Sequence, residues 1–150
     1  MKFKKLESGR SMVEMLGVLA IIGVLSVGGI AGYSLSMRRH RANQVADLVS
    51  KYALITYNQC QQRVLNGEAT SVTECSSLMS FYQAGIGQIP AGVNEINQGA
   101  GSPVSTDATT GIDTVRVDVY FDDLKLCDAV GSVSGTGCGS NHVRFQIKQN

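Results

Sequence analysis

Residues 9–32 read GRSMVEMLGVLAIIGVLSVGGIAG, an apolar run with one acidic residue, Glu14, at its front edge and a short Lys-rich stretch before it. From Met15 to Met37 no residue is formally charged. As a helix rising about 1.5 Å per residue, that segment covers roughly 34 Å, enough to cross a hydrocarbon core of about 30 Å. A simple anchor has no need of Glu14. A charge at the centre of a spanning helix costs about 2.5 to 3.5 kcal/mol on insertion scales, so a carboxylate at its edge points to a waiting partner.

A short basic leader, then Gly9, a carboxylate at the fifth position after it and a long apolar run together resemble the class III signal of type IV prepilins and pseudopilins. The match covers residues 1 to about 37 and continues into the amphipathic segment beyond. The resemblance implies that a membrane aspartyl prepilin peptidase cuts after Gly9 on the cytoplasmic side and methylates the new amino group on Arg10. It further implies that Glu14 pairs with that amine on a neighbouring subunit as the helix leaves the bilayer for a filament core. A buried carboxylate is tolerated when paired and hydrogen-bonded, and is strongly destabilising when stripped of its partner. The pairing therefore sets register more than stability. Members of the family usually carry Phe, Met or another apolar residue after the scissile Gly, and Arg10 departs from that pattern. Its guanidinium, four residues before Glu14, offers an internal partner, although Arg before Glu is the weaker orientation of such a pair.

Two plainer explanations of this region stand beside that one. Ser11-Met12-Val13-Glu14 fits the S-x-x-E capping box ahead of an apolar run, which is compatible with the pairing role. Gly29-Ile30-Ala31 loosely fits a small-residue signal cleavage site. Against secretory cleavage stand an acidic residue abutting the apolar segment, a run longer than the usual 7 to 15 residues, and Arg38, Arg39 and Arg41 soon after it. A simple bitopic anchor survives as the alternative. The positive-inside rule leaves orientation open, because Lys2, Lys4, Lys5 and Arg10 on one flank face those three arginines on the other.

Charge divides the chain. Residues 1–66 hold nine Lys/Arg and three Asp/Glu, net +6, whereas residues 67–150 hold four and nine, net −5. A basic stem and an acidic head make a near-neutral whole, which lacks the high pI of a general nucleic-acid binder. Arg38-Arg39-His40-Arg41 is the one basic cluster outside the leader. It reads as a membrane-proximal collar touching lipid phosphates or acidic neighbours in preference to a DNA site.

Beyond the collar, Val45, Leu48, Val49, Tyr52, Ala53, Tyr57, Cys60 and Val64 recur at the spacing of one helical face. Asn66-Gly67 then stops the helix, Gly supplying a left-handed cap. A single helix from Ser11 to Asn66 would span roughly 84 Å, which calls for lateral partners. Gly17, Gly23, Gly28, Gly29 and Gly32 interrupt it at about 1 kcal/mol each relative to Ala. Close packing through small-residue faces such as Gly28-x-x-x-Gly32 is the favoured reading. Local melting within a filament is the other, and the family's helix-breaking Pro is missing here.

With some 40 residues spent on leader and span, little more than 100 remain for a soluble core. A capping box at Ser71-Val72-Thr73-Glu74 announces a second helix ending near Gly85. Residues 85–111 have loop composition, with a short strand about Gly92 to Ile96, and this loop is the natural place for specificity. Val115, Val117, Val119 and Phe121 alternate with polar residues as a half-buried strand, and Val143, Phe145 and Ile147 repeat the pattern. Residues 122–130 read as a short helix or a turning strand, and residues 131–140 as a flexible loop.

Cys60, Cys75, Cys127 and Cys138 all lie beyond the apolar run, and their even number suggests an oxidising compartment. Three connectivities are open. The choice here is Cys60 with Cys75 and Cys127 with Cys138, each closing a short loop, with free buried thiols as the alternative. Structural zinc is disfavoured, since no C-x-x-C pair exists. Neither His40 nor His142 belongs to a catalytic or metal motif, and Gly135-Thr136-Gly137-Cys138-Gly139 lacks the strand-to-helix context of a phosphate loop.

The expectation is an α+β chain: a long N-terminal helix, transmembrane in its first half, on a small antiparallel sheet, pilin-like. Its segments are a cleaved leader (1–9), a hydrophobic transmembrane and filament-core helix (10–37), an amphipathic continuation (38–66) and a globular head (67–150). The functional expectation is a non-enzymatic pilin or pseudopilin subunit of a type IV pilus or type II secretion-like filament, with no cofactor and no metal. The partners expected are identical or related pilin subunits, prepilin peptidase, an inner-membrane assembly platform and the membrane itself, with nucleic acid not among them. The location is the inner membrane by a single pass with the head in the periplasm, then a pilus or pseudopilus. The alternative is an anchored periplasmic binding module that never polymerises.

Overall fold

The computed structural model describes residues 8–78, 80–81, 84–99 and 103–149. It is α+β, with the element order α1 (Ser8–Leu65), α2 (Val72–Leu78), β1 (Val93–Gln98), β2 (Val104–Thr106), β3 (Asp113–Phe121), α3 (Leu124–Ser134) and β4 (His142–Gln149). Two compact units divide the chain, Met1–Met37 and Arg38–Asn150.

In the first unit α1 is helical from Ser8, and it runs without interruption through all five glycines. Ser11 is therefore internal to the helix and cannot be its N-cap, so the capping-box explanation of Glu14 fails. No side chain lies within 4 Å of a Cβ built at any of these glycines. The large apolar residues between Met12 and Leu35 are 51–74% exposed. Ser26 and Ser34 donate their hydroxyls back to the carbonyls of Ile22 (2.7 Å) and Ala31 (2.9 Å), which leaves the segment's surface apolar.

In the second unit α1 buries Ala42, Val45, Val49, Tyr52, Ala53, Thr56 and Cys60. Leu48, Tyr57 and Val64 of the expected face are only half-buried. The helix ends in a Schellman motif. The N–H of Glu68 donates to the Arg63 carbonyl (2.8 Å) and that of Gly67 to Val64 (3.1 Å), with Gly67 at φ +74°. Only a residue without a Cβ takes that angle cheaply.

β3 is the centre of an antiparallel sheet. β4 pairs with it along one edge, while β1 and β2 share the other in tandem, with Val117 opposite Phe145, Val119 opposite Ile96 and Val115 opposite Val104. Arg116 sits where the tandem strands meet: its carbonyl accepts from Gly99 (2.8 Å) and its N–H donates to the Pro103 carbonyl (2.7 Å). The inward faces of β3 and β4 pack with Leu126 and Val130 of α3 and the buried stripe of α1 in one core.

Three expectations need correction. α2 stops at Leu78 and does not reach Gly85. Ser76, Ser77 and Ser80 are weak helix formers, and Phe81 enters the core edge-on against Tyr52 at 5.4 Å. The region expected to be loop also contains β2, a three-residue strand specified by its partner β3 and not by any periodicity of its own. The segment after β3 is a full helix. Asp123 caps it by accepting from the N–H groups of Lys125 (2.9 Å) and Leu126 (3.4 Å), and it continues to Ser134, which shortens the expected loop. The expected leader lies mostly outside the described residues.

Both disulfides are present, Cys60–Cys75 and Cys127–Cys138, each with Cα atoms 5.5 Å apart. The first ties the end of α1 to α2 and forms a small apolar cluster with Ala69 and Val72. Closing a 15-residue loop constrains the unfolded chain by about 3 kcal/mol. Replacing Cys60 and Cys75 together by Ser is expected to lower the stability of the second unit by about that amount in denaturant titration. An unchanged midpoint would contradict a structural role for this bridge.

Candidate functional site: the apolar helix and its carboxylate

Glu14, the third residue whose side chain is described, is exposed, and with Met15, Val18 and Leu19 it lines a shallow cleft on the helix surface. The i, i+4 spacing of Glu14 with Val18 and of Met15 with Leu19 places these residues on one side. Among the described residues no ion pair reaches Glu14. Gly9 and Arg10 belong to the opening turn of α1, and the Arg10 side chain, with any contact it makes to Glu14, lies outside the described residues.

A helix apolar on every side is stable inside a protein core or a membrane. This one has 0% of its most apolar window buried, and it is long and apolar enough to cross a membrane. The exposed apolar surface exceeds what soluble monomers present to water, so it defines the chain's principal interaction surface. Water, lipid and a helix partner differ sharply in how they treat a carboxylate there. Lipid penalises it, and a partner bearing a cation does not.

The second unit has two polar clusters that the sequence did not reveal. In the first, Asp113 at the start of β3 accepts hydroxyl hydrogen bonds from Thr106 (2.5 Å) and from Tyr57 of α1 (2.5 Å). These bonds, Thr106 first, hold the Asp113 carboxyl below the usual carboxylate range, while burial is the larger cause of the rise in the Tyr57 hydroxyl. The cluster ties α1 to the β2–β3 hairpin. A carboxyl depressed by folding stabilises the native state above its unfolded value, and that contribution is lost as pH falls through the folded value. Asp113→Asn should therefore flatten the acid limb of the stability profile. Identical acid limbs for variant and wild type would contradict it.

In the second cluster, Asp118 on β3 is only 2% exposed and lies opposite Arg144 on β4. Arg144 donates to both carboxylate oxygens, from Nε at 2.7 Å and from Nη2 at 3.0 Å, a bidentate fork that matches carboxylate geometry. Neither residue was expected, because only the cross-strand register reveals the pair. His142 stacks on Tyr120 with ring centroids 5.5 Å apart, and His40 lies 3.2 Å from the Gln44 amide. Among the described residues no group of three His, Cys, Asp or Glu side chains could hold a metal ion. Beside β1 a cleft of about 350 Å³ is lined by Phe81, Ile89, Asn94 and Glu95, partly within the loop singled out for specificity.

These elements define a class: a small disulfide-bridged α+β unit following a helix long and apolar enough to cross a membrane. Compared with protein-family models, curated proteins and solved structures, the chain matches none.

Proposed function

We propose that this chain is a structural subunit of a type IV pilus or of a type II secretion-like pseudopilus. The observation that carries the reading is a single carboxylate, Glu14, at the front of a helix whose apolar side chains are exposed all round. Before assembly the helix holds the chain in the inner membrane by one pass, with the second unit in the periplasm, where both disulfides are chemically at home. Prepilin peptidase removes residues 1–9, and an inner-membrane platform then adds the mature chain to a filament. There the apolar helices lie inside, and the amine of Arg10 on one subunit meets Glu14 on its neighbour. Contacts of this head-to-tail kind extend without closing, which suits a filament.

Membranes containing the full chain, incubated with a prepilin peptidase, test the first step. Intact mass should show a product beginning at Arg10. A chain that stays uncut beside a processed control prepilin overturns the proposal and favours the non-polymerising periplasmic module.

A further inference from the structure

Residues 67–150 carry four Lys/Arg against nine Asp/Glu, yet three of those four cations share one surface. β3 and β4 alternate strictly, so Arg116 and Tyr120 face outward with Arg144, Gln146 and Lys148, away from the core. Arg144, Gln146 and Lys148 are exposed, and Arg116 is half-buried. Arg116 lies directly across from Gln146 and diagonal to both Arg144 and Lys148, about 7 to 8 Å from each. Asp118 answers Arg144 through the bidentate fork, which leaves the outward face of these two strands with three cations against one acid, net +2. Asp107, in the loop before β3, feels the charge of Lys148, but among the described residues no ion pair reaches Lys148 or Arg116.

α3 packs on the other side of the sheet, with Leu126 and Val130 in the core. Its outer surface has the opposite sign. Asp122 and Asp123 precede its first turn, Asp128 follows Leu124 by four residues, and all three acids are exposed, with Lys125 the one cation among them. Three acids against one cation give net −2. Leu124 and Val133 add apolar area at 56% and 48% exposure. Among the described residues no ion pair reaches Asp122 or Asp128.

We propose that α3 of one copy docks on the outward face of β3 and β4 of the next, where Asp122 and Asp128 meet Arg116 and Lys148. The two surfaces point in opposite directions, so they cannot pair within one copy, and a two-fold contact would set like charge against like. Only a head-to-tail contact matches the signs, and such a contact repeats without closing. With 11 residues α3 is about 16 Å long, and it fits along strands of about 26 Å. One helix on two strands makes an interface below the roughly 1,200 Å² of total area usual for stable complexes, so the copies must already be held side by side. The contact deepens the filament reading above, and a membrane that confines the copies meets the same requirement.

The full chain, with the photo-crosslinker benzoylphenylalanine in place of Gln146, is reconstituted densely in liposomes and irradiated. Products of twice the chain mass should join position 146 to a peptide within residues 122–133 of another copy, and salt should lower their yield. R116E/K148E should cut that yield by about tenfold or more, and so should D122K/D128K. Mixing the two variants should restore it to within about twofold, with the products joining unlike copies. Absence of a link from position 146 to residues 122–133, or a link to the sheet of the other copy in its place, overturns the proposal. So does a mixture that stays unrestored while each variant keeps the wild-type melting temperature. Where a reversal fails to fold, R116Q/K148Q and D122N/D128N should each still cut the yield by about threefold, and an unchanged yield overturns the proposal. Prepilin peptidase added to the same liposomes separates this contact from the filament reading. A chain that is linked but never cut keeps the contact and removes the filament subunit, whereas one that is cut and forms filaments yet never links removes only the contact.

Discussion

Replacing Glu14 by Leu is expected to cut the yield of sheared filaments at least about a hundredfold, while peptidase processing and membrane insertion stay intact. The two effects have opposite signs, which makes the substitution informative. Removing a carboxylate from the edge of an apolar span relieves a cost, so the solitary subunit inserts at least as well as before. Assembly, by contrast, would bury the neighbour's amine without its counter-charge. Breaking one half of a buried pair costs about 3 to 5 kcal/mol, which corresponds to about two to nearly four orders of magnitude in subunit affinity. Glu14→Gln keeps a hydrogen-bond acceptor and should fall between the two. Were Glu14 there only to begin the helix, neither variant would affect filament yield, and α1 is already helical from Ser8.

The second large effect is expected at Tyr52, which is fully buried in α1 and meets Phe81 edge to face at an interplanar angle of 63°. Burial raises its hydroxyl, and the Gln98 amide opposes that shift. Tyr52→Ala opens a cavity between helix and sheet and should destabilise the second unit by about 3 to 5 kcal/mol. Total stabilities of about 5 to 15 kcal/mol are usual for such domains, so the variant loses a large share of its margin. Thermal unfolding of the two chains measures this, and a shift below about 1 kcal/mol would contradict a central role for this ring. Gly131 offers a steric counterpart, because a Cβ there would lie 2.6 Å from backbone atoms of Gly137 and Cys138.

What the sequence reveals about this fold follows from how each element is specified. α1, β3 and β4 carry long apolar periodicities, so their faces are legible directly, as is the Gly67 stop. β2 has three residues and no pattern, and it exists because the edge of β3 between Asp113 and Val115 has free ladder groups to pair. α3 was ambiguous because its core-facing residues, Leu126, Cys127, Val130 and Gly131, include only two large apolar side chains. The deciding signal was the cap at Asp123. The Asp118–Arg144 and Tyr57–Asp113 pairs join residues 26 and 56 positions apart, and nothing local marks them. Glu14 is the reverse case. Its chemistry is conspicuous in the sequence, and its partner belongs to another chain in the proposed function.

A helical reconstruction by electron cryomicroscopy, from cells that make this chain with a prepilin peptidase and an assembly platform, examines that partner directly. The account predicts filaments in which the Glu14 carboxylate lies about 3 Å from the amino-terminal nitrogen of Arg10 on an adjacent subunit. Filaments in which that carboxylate meets only its own chain's guanidinium, or filaments that lack this chain altogether, would contradict it.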